Sequence, residues 1–366
     1  MPNVLRVALD ASALPARPAG AGVYMLELAA ALAARPSLEV TAFAPRPLPG
    51  CCHRPVPAGS PARRFAWQLR SLGPAVAGSG AHLLHGLHFY TPRRLPVPAV
   101  TTFHDLTFFR IPRRYPPSRR WYYRLIAHTA RFADRVIVPS SAVAQDAVRY
   151  LGLPAERIRV IPEAPRAGLR AADPARVAAA RAKYALGDAP YLLCLGTAEP
   201  GKRAVDAVRA LPAIRERHPG VLLALAGNPG PLLGPLQREA ARLGVADAVR
   251  WLGYVPDADL PALLTGAVAL VFPSLFEGFG LPPLEAMACG TPVIAADAPA
   301  MSEVLAGAAL FVPLRAPEAI AAAVSRLLAD PAFRADLAHQ SLQHAARFSW
   351  ANAADLTESV YRELVP

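Results

Sequence analysis

The sequence lacks any long run of strongly apolar residues, although 53% of its 366 residues are hydrophobic. Much of that fraction is alanine, and no stretch approaches the roughly 18 to 20 apolar residues of a membrane-spanning helix. The first residues, Met1 to Arg6, lead at once into a predicted strand, without the basic region and apolar core of a signal peptide. We therefore expect a cytoplasmic protein that can reach the inner face of the membrane.

Cysteine is also scarce, with 4 residues in the whole chain. Cys51 and Cys52 are adjacent in a proline-rich predicted loop, Cys194 lies in a predicted strand and Cys289 in a predicted helix. No Cys-x-x-Cys spacing or Cys/His cluster indicates zinc, so we expect buried or unreactive thiols and no metal.

Acidic residues are fewer than basic ones, 27 against 39, which gives a net charge of +12. Such a charge favours anionic partners, namely nucleic acid, a membrane surface or a phosphorylated substrate. An arginine-rich and alanine-rich composition can also reflect genome bias. Charge alone therefore does not decide the function.

Predicted strands alternate with predicted helices along the chain, which indicates an α/β protein with parallel sheets covered by helices on both faces. The alternation loosens between Ala164 and Ala189, where proline and glycine accumulate. We predict four segments: a first Rossmann-like domain (1–165), a linker (166–189), a second Rossmann-like domain (190–347) and a helix that packs back toward the first domain (348–366). Two such doubly wound domains place their ligand-binding crevices face to face across a cleft. In the first domain, a single helix is expected over residues 63–77.

Two glutamates bracket a loop that follows the predicted strand 268–272. Glu277 lies just past the carboxyl end of that strand, and Glu285 lies in the first turn of a helix predicted over residues 283–289. Gly278 and Gly280 leave backbone N–H groups free to approach a ligand. Because ligands bind at the carboxyl ends of parallel strands, the stretch predicts a site for a polar, hydroxylated and partly anionic molecule.

A second loop, residues 196–203, follows the first predicted strand of the second domain. Its glycine turn precedes Lys202 and Arg203 at the start of a predicted helix, an arrangement that suits an anion. No Ser or Thr follows Lys202, so the loop is not a Walker A motif. The alternative is a solvated helix start.

In the first domain, Gly20 and Gly22 lie between the first predicted strand and helix. Their position matches a dinucleotide fingerprint without its third glycine, so the loop is either a plain tight turn or a contact for phosphate or sugar. His104 and Asp105 follow another strand end. His104 could bond a substrate hydroxyl or transfer a proton near neutral pH, and a structural or solvated histidine is the alternative.

Two other patterns favour less specific interpretations. Asp257-Ala258-Asp259 resembles a metal-binding acidic triplet, but its place before a predicted helix favours a cap with first-turn acids. The stretch from Arg110 to Arg124 is dense in arginine and aromatic residues and suits an anionic membrane or acceptor. Single-stranded nucleic acid uses the same chemistry, but the cluster is local, so we predict no nucleic-acid partner. A solvated basic helix start is the other interpretation of this stretch.

With these residues in view, nearly the whole chain resembles the retaining GT-B glycosyltransferases of family 4, also called group 1. The second half carries Val249-Arg250-Trp251-Leu252-Gly253-Tyr254-Val255-Pro256 and a Glu-x7-Glu signature that runs from Glu277 to Glu285. The first half resembles a mannosyltransferase-like subgroup of cell-envelope polysaccharide assembly through Thr102-Phe103-His104-Asp105-Leu106, Tyr115-Pro116-Pro117 and Ser140-Ser141.

The resemblance implies that residues 1–165 form the acceptor-side domain and residues 190–347 the nucleotide-sugar-binding domain. It also implies a role for each motif. Glu285 would bind the nucleotide ribose, Glu277 would face the hydroxyls of the donor sugar, and Lys202 would neutralise the diphosphate leaving group. His104 would lie near the reacting sugar and completes the implied catalytic set with Glu277 and Lys202. The remaining implied donor-binding residues are Gly20, Gly22, Thr197, Arg203, Tyr254, Val255, Gly278, Phe279, Gly280 and Leu281. No metal or cofactor is implied beyond the donor substrate, a GDP- or UDP-sugar.

Three departures from the family pattern bear on these roles. Gly201 precedes Lys202 and Arg203 follows it, which leaves a second phosphate-binding cation open. Glu163 stands in Pro162-Glu163-Ala164, where many members have Pro-Asn-Gly. The two prolines before Leu284 make a stiffer start to the helix than usual.

The implied activity is transfer of a hexose, with mannose favoured, to a carbohydrate or lipid-linked acceptor hydroxyl. The anomeric configuration would be retained through same-face attack. Two alternatives stay open: a sugar-nucleotide epimerase or phosphorylase of similar fold, and a non-catalytic protein that binds membrane surfaces through residues 110–124.

Overall fold

A computed structural model describes residues 4–112 and 115–365. The chain divides into two compact units, one formed by Met1–Ala167 with Ser349–Pro366 and the other by Gly168–Phe348. Each unit has its own parallel sheet.

The first unit is built on a seven-stranded sheet. Its strands are β1 (Leu5–Asp10), β2 (Leu38–Ala44), β3 (Cys52–Pro55), β4 (Leu83–Gly86), β5 (Ala99–Thr102), β6 (Arg135–Val138) and β7 (Ile158–Val160). They lie in the order β3-β2-β1-β4-β5-β6-β7, and neighbouring strands pair in parallel. The direction of winding reverses between β1 and β4, so this unit has a topological switch point at the carboxyl ends of those two strands.

Helices connect these strands. They are α1 (Ala21–Ala33), α2 (Pro61–Trp67), α3 (Gly73–Ala77), α4 (Thr107–Arg110), α5 (Pro117–Ala127), α6 (Ser141–Leu151) and α15 (Trp350–Leu364). Instead of the single helix predicted over residues 63–77, the chain forms α2, a π-helical segment Gln68–Leu72 and α3. Pro74 explains the interruption, because it cannot donate a backbone hydrogen bond to the preceding turn. Cys52 begins β3, so the prediction that it lies in a loop is wrong.

The C-terminal helix α15 packs within the first unit. Tyr361 Oη lies 2.6 Å from His85 Nδ1 on β4. Arg35 forms ion pairs with Asp355 and Glu358 of α15. At the start of the helix, Trp350 Nε1 donates to the carbonyl oxygen of Pro165 at 2.9 Å. The last segment of the chain therefore contributes to the core of the unit with which the chain begins.

The second unit is built on a six-stranded sheet. Its strands are β8 (Tyr191–Leu195), β9 (Leu222–Ala226), β10 (Val249–Gly253), β11 (Ala269–Phe272), β12 (Val293–Ala296) and β13 (Leu310–Val312). They lie in the order β10-β9-β8-β11-β12-β13, again in parallel. The switch point lies between β8 and β11, which places the loops after these two strands side by side.

The helices of the second unit are α7 (Pro174–Lys183), α8 (Ala204–Arg217), α9 (Leu233–Arg242), α10 (Leu260–Thr265), α11 (Leu281–Ala288), α12 (Pro299–Leu305), α13 (Pro317–Ala329) and α14 (Pro331–Ala345). Helix α7 falls in the segment predicted as a linker. Asp173 caps it by accepting the Arg176 N–H at 2.9 Å, and Arg181 donates to the carbonyl oxygen of Gly266 at 3.1 Å. This segment is therefore an ordered part of the second unit.

Two local predictions in this unit are wrong. Helix α11 begins at Leu281, two residues before the predicted start, so Glu285 lies in its second turn. Pro282 and Pro283 fit inside the first turn, where backbone N–H groups have no partner within the helix. Asp259 occupies the position before α10, yet its carboxylate makes no capping bond and accepts from Lys183 Nζ at 2.6 Å and Tyr184 Oη at 2.7 Å.

Within residues 4–112 and 115–365, none of the helices combines the length and the apolar character that a membrane span requires.

Candidate active site

The switch point of the second unit brings together the two loops singled out in the sequence. Strand β8 ends at Leu195 and continues into residues 196–203, while β11 ends at Phe272 and continues into residues 273–280. The loops are joined through the backbone, since the Leu275 N–H donates to the Gly201 carbonyl oxygen at 2.9 Å. The cationic loop and the glutamate loop are therefore neighbours.

Lys202 and Glu277 meet at this junction. Lys202 Nζ lies 2.6 Å from Glu277 Oε1, and the side chains are 21% and 15% exposed. Ser274 Oγ lies 2.5 Å from the same carboxylate oxygen and 3.2 Å from the Gly201 carbonyl oxygen. Ser274 is fully buried, and its hydrogen bond helps to fix the orientation of the Glu277 carboxylate. The result is a paired cation and anion, both still accessible, at the carboxyl edge of the sheet.

The two predicted cations of this loop have different environments. Lys202 ends a short 3-10 turn, Pro200–Lys202, and helix α8 begins only at Ala204, later than predicted. Arg203 has a left-handed backbone (φ 53°), and its guanidinium forms an ion pair with the buried carboxylate of Asp206. Lys202 thus faces the loop junction, whereas Arg203 is held by its own helix. A role for Arg203 in donor binding stays a prediction.

A cavity of about 240 Å³ opens beside Lys202. Gly196, Thr197 and Ala198 line it from the β8 loop, and Asn228 and Pro229 line it from the loop after β9. Its lining is largely apolar and includes Leu225, Leu236, Trp251 and Phe272. The cavity combines these apolar side chains with the cation of Lys202 and the amide of Asn228, which suits a ring system that carries an anionic group.

The start of helix α11 holds the second glutamate. Gly280 has φ 103°, a conformation that side chains of L-residues rarely adopt, and this turn redirects the chain from the Glu277 loop into the helix. Phe279 is buried with its ring 5.9 Å from that of Phe348. Glu285 is 3% exposed. The pKa of the Cys289 thiol is raised to about 12, mainly by burial of the thiol and to a smaller extent by the charge of Glu285.

The remaining predicted donor residues of this unit surround the same edge. Gly278 and Leu281 flank the turn at Gly280, and Leu281 is 6% exposed. Tyr254 and Val255 are half-buried in the loop that follows β10. The structure thus gathers the predicted residues of the second unit around the carboxyl ends of β8, β10 and β11, and their binding roles stay predictions.

In the first unit, Gly20, Gly22 and His104 lie around Tyr24. Gly20 precedes helix α1, and Gly22 is packed against the side chains of Pro15 and Pro18. Tyr24, two residues further on, contacts His104 edge to face with ring centroids 4.7 Å apart. The glycine loop therefore positions the helix start that packs against His104.

His104 has partners on both ring nitrogens. Nε2 lies 2.9 Å from the Leu87 carbonyl oxygen, and Nδ1 lies 3.3 Å from Glu163 Oε1. Glu163 is 5% exposed and belongs to the tripeptide that departs from the family pattern. Since both nitrogens are engaged within the unit, the ring is held in one orientation. A direct part for His104 in proton transfer stays a prediction.

Several contributors were not predicted as site residues. Ser274 gives no signal because serine is common in loops, and Asn228 is distant in sequence from Lys202. Trp251 belongs to a motif that carries the family resemblance, but its place in the lining of the cavity was not predicted. Glu163 lies 59 residues from His104, so only the fold reveals their contact.

In the part of the chain that the structure describes, neither the triplet Asp257–Asp259 nor the adjacent Cys51 and Cys52 belongs to a cluster of metal ligands. Cys194 and Cys289 are buried, and burial raises the pKa of the Cys194 thiol to about 12. Both thiols are therefore protonated and unreactive at neutral pH.

Comparison with known proteins agrees with this architecture. The family model described as glycosyl transferases group 1 matches residues 177–344, and the model described as glycosyltransferase family 4 matches residues 18–164. The O-antigen chain mannosyltransferase B of Escherichia coli is 34% identical over 307 residues, which cover 82% of this chain and 78% of that protein. The serotype-specific mannosyltransferase WbdA of Escherichia coli is 32% identical over 282 residues, 74% of this chain but only 34% of WbdA.

Among solved structures, sucrose-phosphate synthase from Thermosynechococcus elongatus has a TM-score of 0.79 at 24% identity, with 98% of this chain and 99% of that chain covered. The two parallel-sheet units define the GT-B fold. The chain belongs to the family 4, or group 1, glycosyltransferases.

Proposed function

We propose that the enzyme transfers mannose from a nucleotide diphosphate sugar to a hydroxyl of a carbohydrate or lipid-linked acceptor in cell-envelope polysaccharide assembly. The choice of mannose is supported by the likeness to O-antigen chain mannosyltransferase B over 82% of the chain. The observation that carries the proposal is the contact between Lys202 and Glu277 beside the cavity of the second unit.

The chemistry of this pair suits glycosyl transfer. Negative charge grows on the diphosphate as the bond to the sugar breaks, and a fixed cation at that point stabilises the transition state. Lys202 lines the cavity and can turn from Glu277 to the phosphates. Glu277, held by Ser274, then accepts hydrogen bonds from the sugar hydroxyls.

Retention of configuration is part of the proposal. The Glu277 oxygen that faces the junction is already bonded to Lys202 and Ser274, which favours an orienting role over attack on the sugar. The acceptor hydroxyl would then attack from the face that the diphosphate leaves, and the leaving phosphate would take its proton. With Lys202 to neutralise that phosphate, the proposed reaction needs no metal.

Donor identity can be tested by thermal shift with GDP-, UDP- and ADP-sugars. A donor at 100 times its Kd stabilises the folded protein by about 2.7 kcal/mol, and GDP-mannose is expected to give the largest shift. Transfer from the best donor to octyl α-mannoside, with the product linkage assigned by NMR, then tests retention, and added EDTA tests metal independence. An inverted product, or no shift with any sugar nucleotide, contradicts the proposal.

We also propose that helix α5 contacts an anionic membrane during catalysis. Trp121 is 67% exposed and Leu125, one turn further on, is 40% exposed. Arg110 is unavailable for lipid because it pairs with Asp146 at 2.7 Å, and Arg113 and Arg114 lie outside the described residues. Sedimentation with vesicles of phosphatidylglycerol but not of phosphatidylcholine, lost in Trp121→Ser, is the expected result. Equal sedimentation of that variant contradicts the membrane contact.

A further inference from the structure

The loop between β4 and β5 contains a strained turn at Phe89. Phe89 has φ 61°, and the Tyr90 N–H donates to the His88 carbonyl oxygen at 2.7 Å. A hydrogen bond between residues two apart around a positive φ is a γ-turn of the rare kind, and a bulky aromatic residue seldom adopts it. Strain of this kind persists only where its surroundings fix it, and it concentrates at functional sites.

Packing holds the turn in place. The ring of Phe89 is buried against Phe103, Phe108 and Tyr123, with centroids 5.0, 5.7 and 6.0 Å away. The loop also folds tightly back onto its own strand, because a side chain at Gly86 would place its Cβ 2.5 Å from the Tyr90 carbonyl oxygen. The turn is therefore rigid.

This rigid turn places His88 at the switch point of the first unit. The preceding residue, Leu87, donates its N–H to the carbonyl oxygen of Asp10 at the end of β1, at 3.1 Å. The His88 ring lies 5.6 Å from the His104 ring, centroid to centroid. In an open parallel sheet this edge is where ligands bind.

His88 differs from the two neighbouring histidines in its hydrogen bonds. His85 and His104 have partners on both ring nitrogens. His88 is partly exposed, and its Nδ1 is buried without a partner among the described residues. Burial, with smaller effects of His104 and Arg64, lowers the pKa of His88 well below 6.5, so the ring is neutral at pH 7 and carries one N–H.

The proton position follows from the same burial. A buried N–H without an acceptor is costly and rare, and a bare lone pair is tolerated better. The single proton therefore belongs on Nε2, because Nδ1 is the nitrogen that is buried without a partner. His88 presents a fixed hydrogen-bond donor at the sheet edge.

One of the other buried polar groups without a partner lies on the same loop as His88. Thr91 Oγ1 and Arg124 Nε are the remaining buried side-chain polar atoms without a partner in the described part of the chain. Thr91 lies on the same loop, and its N–H donates to Thr129 Oγ1, just past helix α5, at 3.0 Å. Arg124 lies on α5 itself. Because native proteins seldom leave such atoms unsatisfied, the presence of His88 Nδ1 and Thr91 Oγ1 on one short loop favours the binding of a polar ligand there.

We propose that His88 binds the acceptor sugar, donating from Nε2 to a hydroxyl oxygen at the carboxyl edge of the first sheet. This inference rests on the proposed glycosyl transfer, and it assigns the acceptor to a residue outside the family's signature motifs. The γ-turn at Phe89 fixes the direction in which the Nε2–H group of His88 points. The hydrogen bond to the acceptor therefore forms without reorganisation of the loop.

The test compares His88→Ala, His88→Gln and His82→Ala with GDP-mannose as donor and octyl α-mannoside or octyl α-glucoside as acceptor. His88→Ala is expected to raise KM for the acceptor about tenfold, while donor hydrolysis in the absence of acceptor and the Kd for GDP stay within twofold. His88→Gln keeps an N–H near the position of Nε2 and is expected to recover most of the acceptor affinity. His82 lies just before β4, at the opposite end of the strand. Its replacement is expected to leave the acceptor KM, donor hydrolysis and the Kd for GDP unchanged.

An acceptor KM within twofold of wild type in His88→Ala overturns the assignment of His88 alone. Equal losses of transfer and donor hydrolysis also overturn it, because they indicate a general structural defect. Failure of the wild-type protein to bind any sugar nucleotide overturns the proposed function instead, so the two failures are distinguishable.

Discussion

Lys202 Nζ lies 2.6 Å from Glu277 Oε1, and this ion pair connects side chains of the loops that leave β8 and β11. Both side chains remain partly accessible, at 21% and 15% exposure. The protein therefore brings one positive and one negative group together before any donor arrives, which lowers the cost of assembling them during the reaction.

Replacement of either partner should impair transfer. A hydrogen bond to a charged group contributes about 1.5 to 3 kcal/mol, so Glu277→Gln is expected to lower kcat/KM between about tenfold and a hundredfold. Lys202→Ala should also weaken GDP binding, because it removes the cation near the phosphates. The double variant should lose less than the sum of the two, since each single change leaves the other charge unpaired. Steady-state kinetics and calorimetry measure these quantities.

Lys183→Ala is the matched control for Lys202→Ala. Lys183 Nζ also lies 2.6 Å from a carboxylate oxygen, that of Asp259, but the lysine side chain is 55% exposed and does not line the cavity. Activity and GDP affinity should stay within twofold of wild type. An equal loss in both lysine variants would contradict a specific role for Lys202.

Ser274→Ala should reduce activity through the orientation of Glu277. The variant removes the hydroxyl that lies 2.5 Å from Glu277 Oε1, and the carboxylate then has only Lys202 to fix it. We expect kcat to fall about tenfold, the equivalent of one ordinary hydrogen bond, with little change in KM for the donor. Ser341→Ala is the control, because Ser341 is equally buried in the same unit and bonds the Ala308 carbonyl oxygen at 3.3 Å. A similar loss of kcat in both variants would indicate a packing defect rather than a positioning role.

Stability should fall as the pH decreases below 6.5. Burial lowers the pKa of His85 to about 3 from an ordinary value of 6.5. Between these values the unfolded chain binds a proton on His85 that the folded protein does not, so acid favours unfolding. The expected loss for this histidine is about 2 kcal/mol between pH 7 and pH 5.

The measurement is urea unfolding at pH 5, 6 and 7, followed by circular dichroism. His85→Gln should be less stable at pH 7 and should show a shallower pH dependence than wild type. His128→Gln, which changes an exposed histidine of the same unit, should keep the wild-type slope. An unchanged slope in His85→Gln would show that other groups cause the acid sensitivity.

Tyr361→Phe should destabilise the first unit without affecting the second. The Tyr361 hydroxyl lies 2.6 Å from His85 Nδ1, and both residues are fully buried. Its removal leaves His85 Nδ1 without a partner, which costs about 1 to 3 kcal/mol. Differential scanning calorimetry should show a lower Tm for Tyr361→Phe. Tyr150→Phe is the control: it removes a hydroxyl from a ring that is stacked against Phe109, and its Tm should stay at the wild-type value. GDP affinity should stay at the wild-type value in both variants.

The fold and the family were predictable because their signals are local. Alternating strand and helix patterns indicated the α/β class, and Lys202 and Glu277 were recognised because each lies in a loop directly after a buried strand. The sheet topology then brings such loops together, so two local observations were enough to predict one site.

Features that depend on distant contacts were not predictable. Asp259 has the sequence context of a helix cap, but Lys183 and Tyr184 attract its carboxylate from 75 and more residues away. The left-handed conformation of Arg203 turns its guanidinium toward Asp206, a result that the spacing of two adjacent cations does not reveal. The start of α11 was placed too late because proline was assumed to mark the first helical residue, although the whole first turn tolerates it.

The placement of α15 has a consequence for synthesis on the ribosome. Residues 168–348 form one uninterrupted unit, whereas the first unit needs Ser349–Pro366 to complete its contacts. Until those last residues emerge, His85 lacks Tyr361 and Arg35 lacks Glu358. The second unit can therefore complete its fold during translation, and the first unit, although made earlier, is finished last.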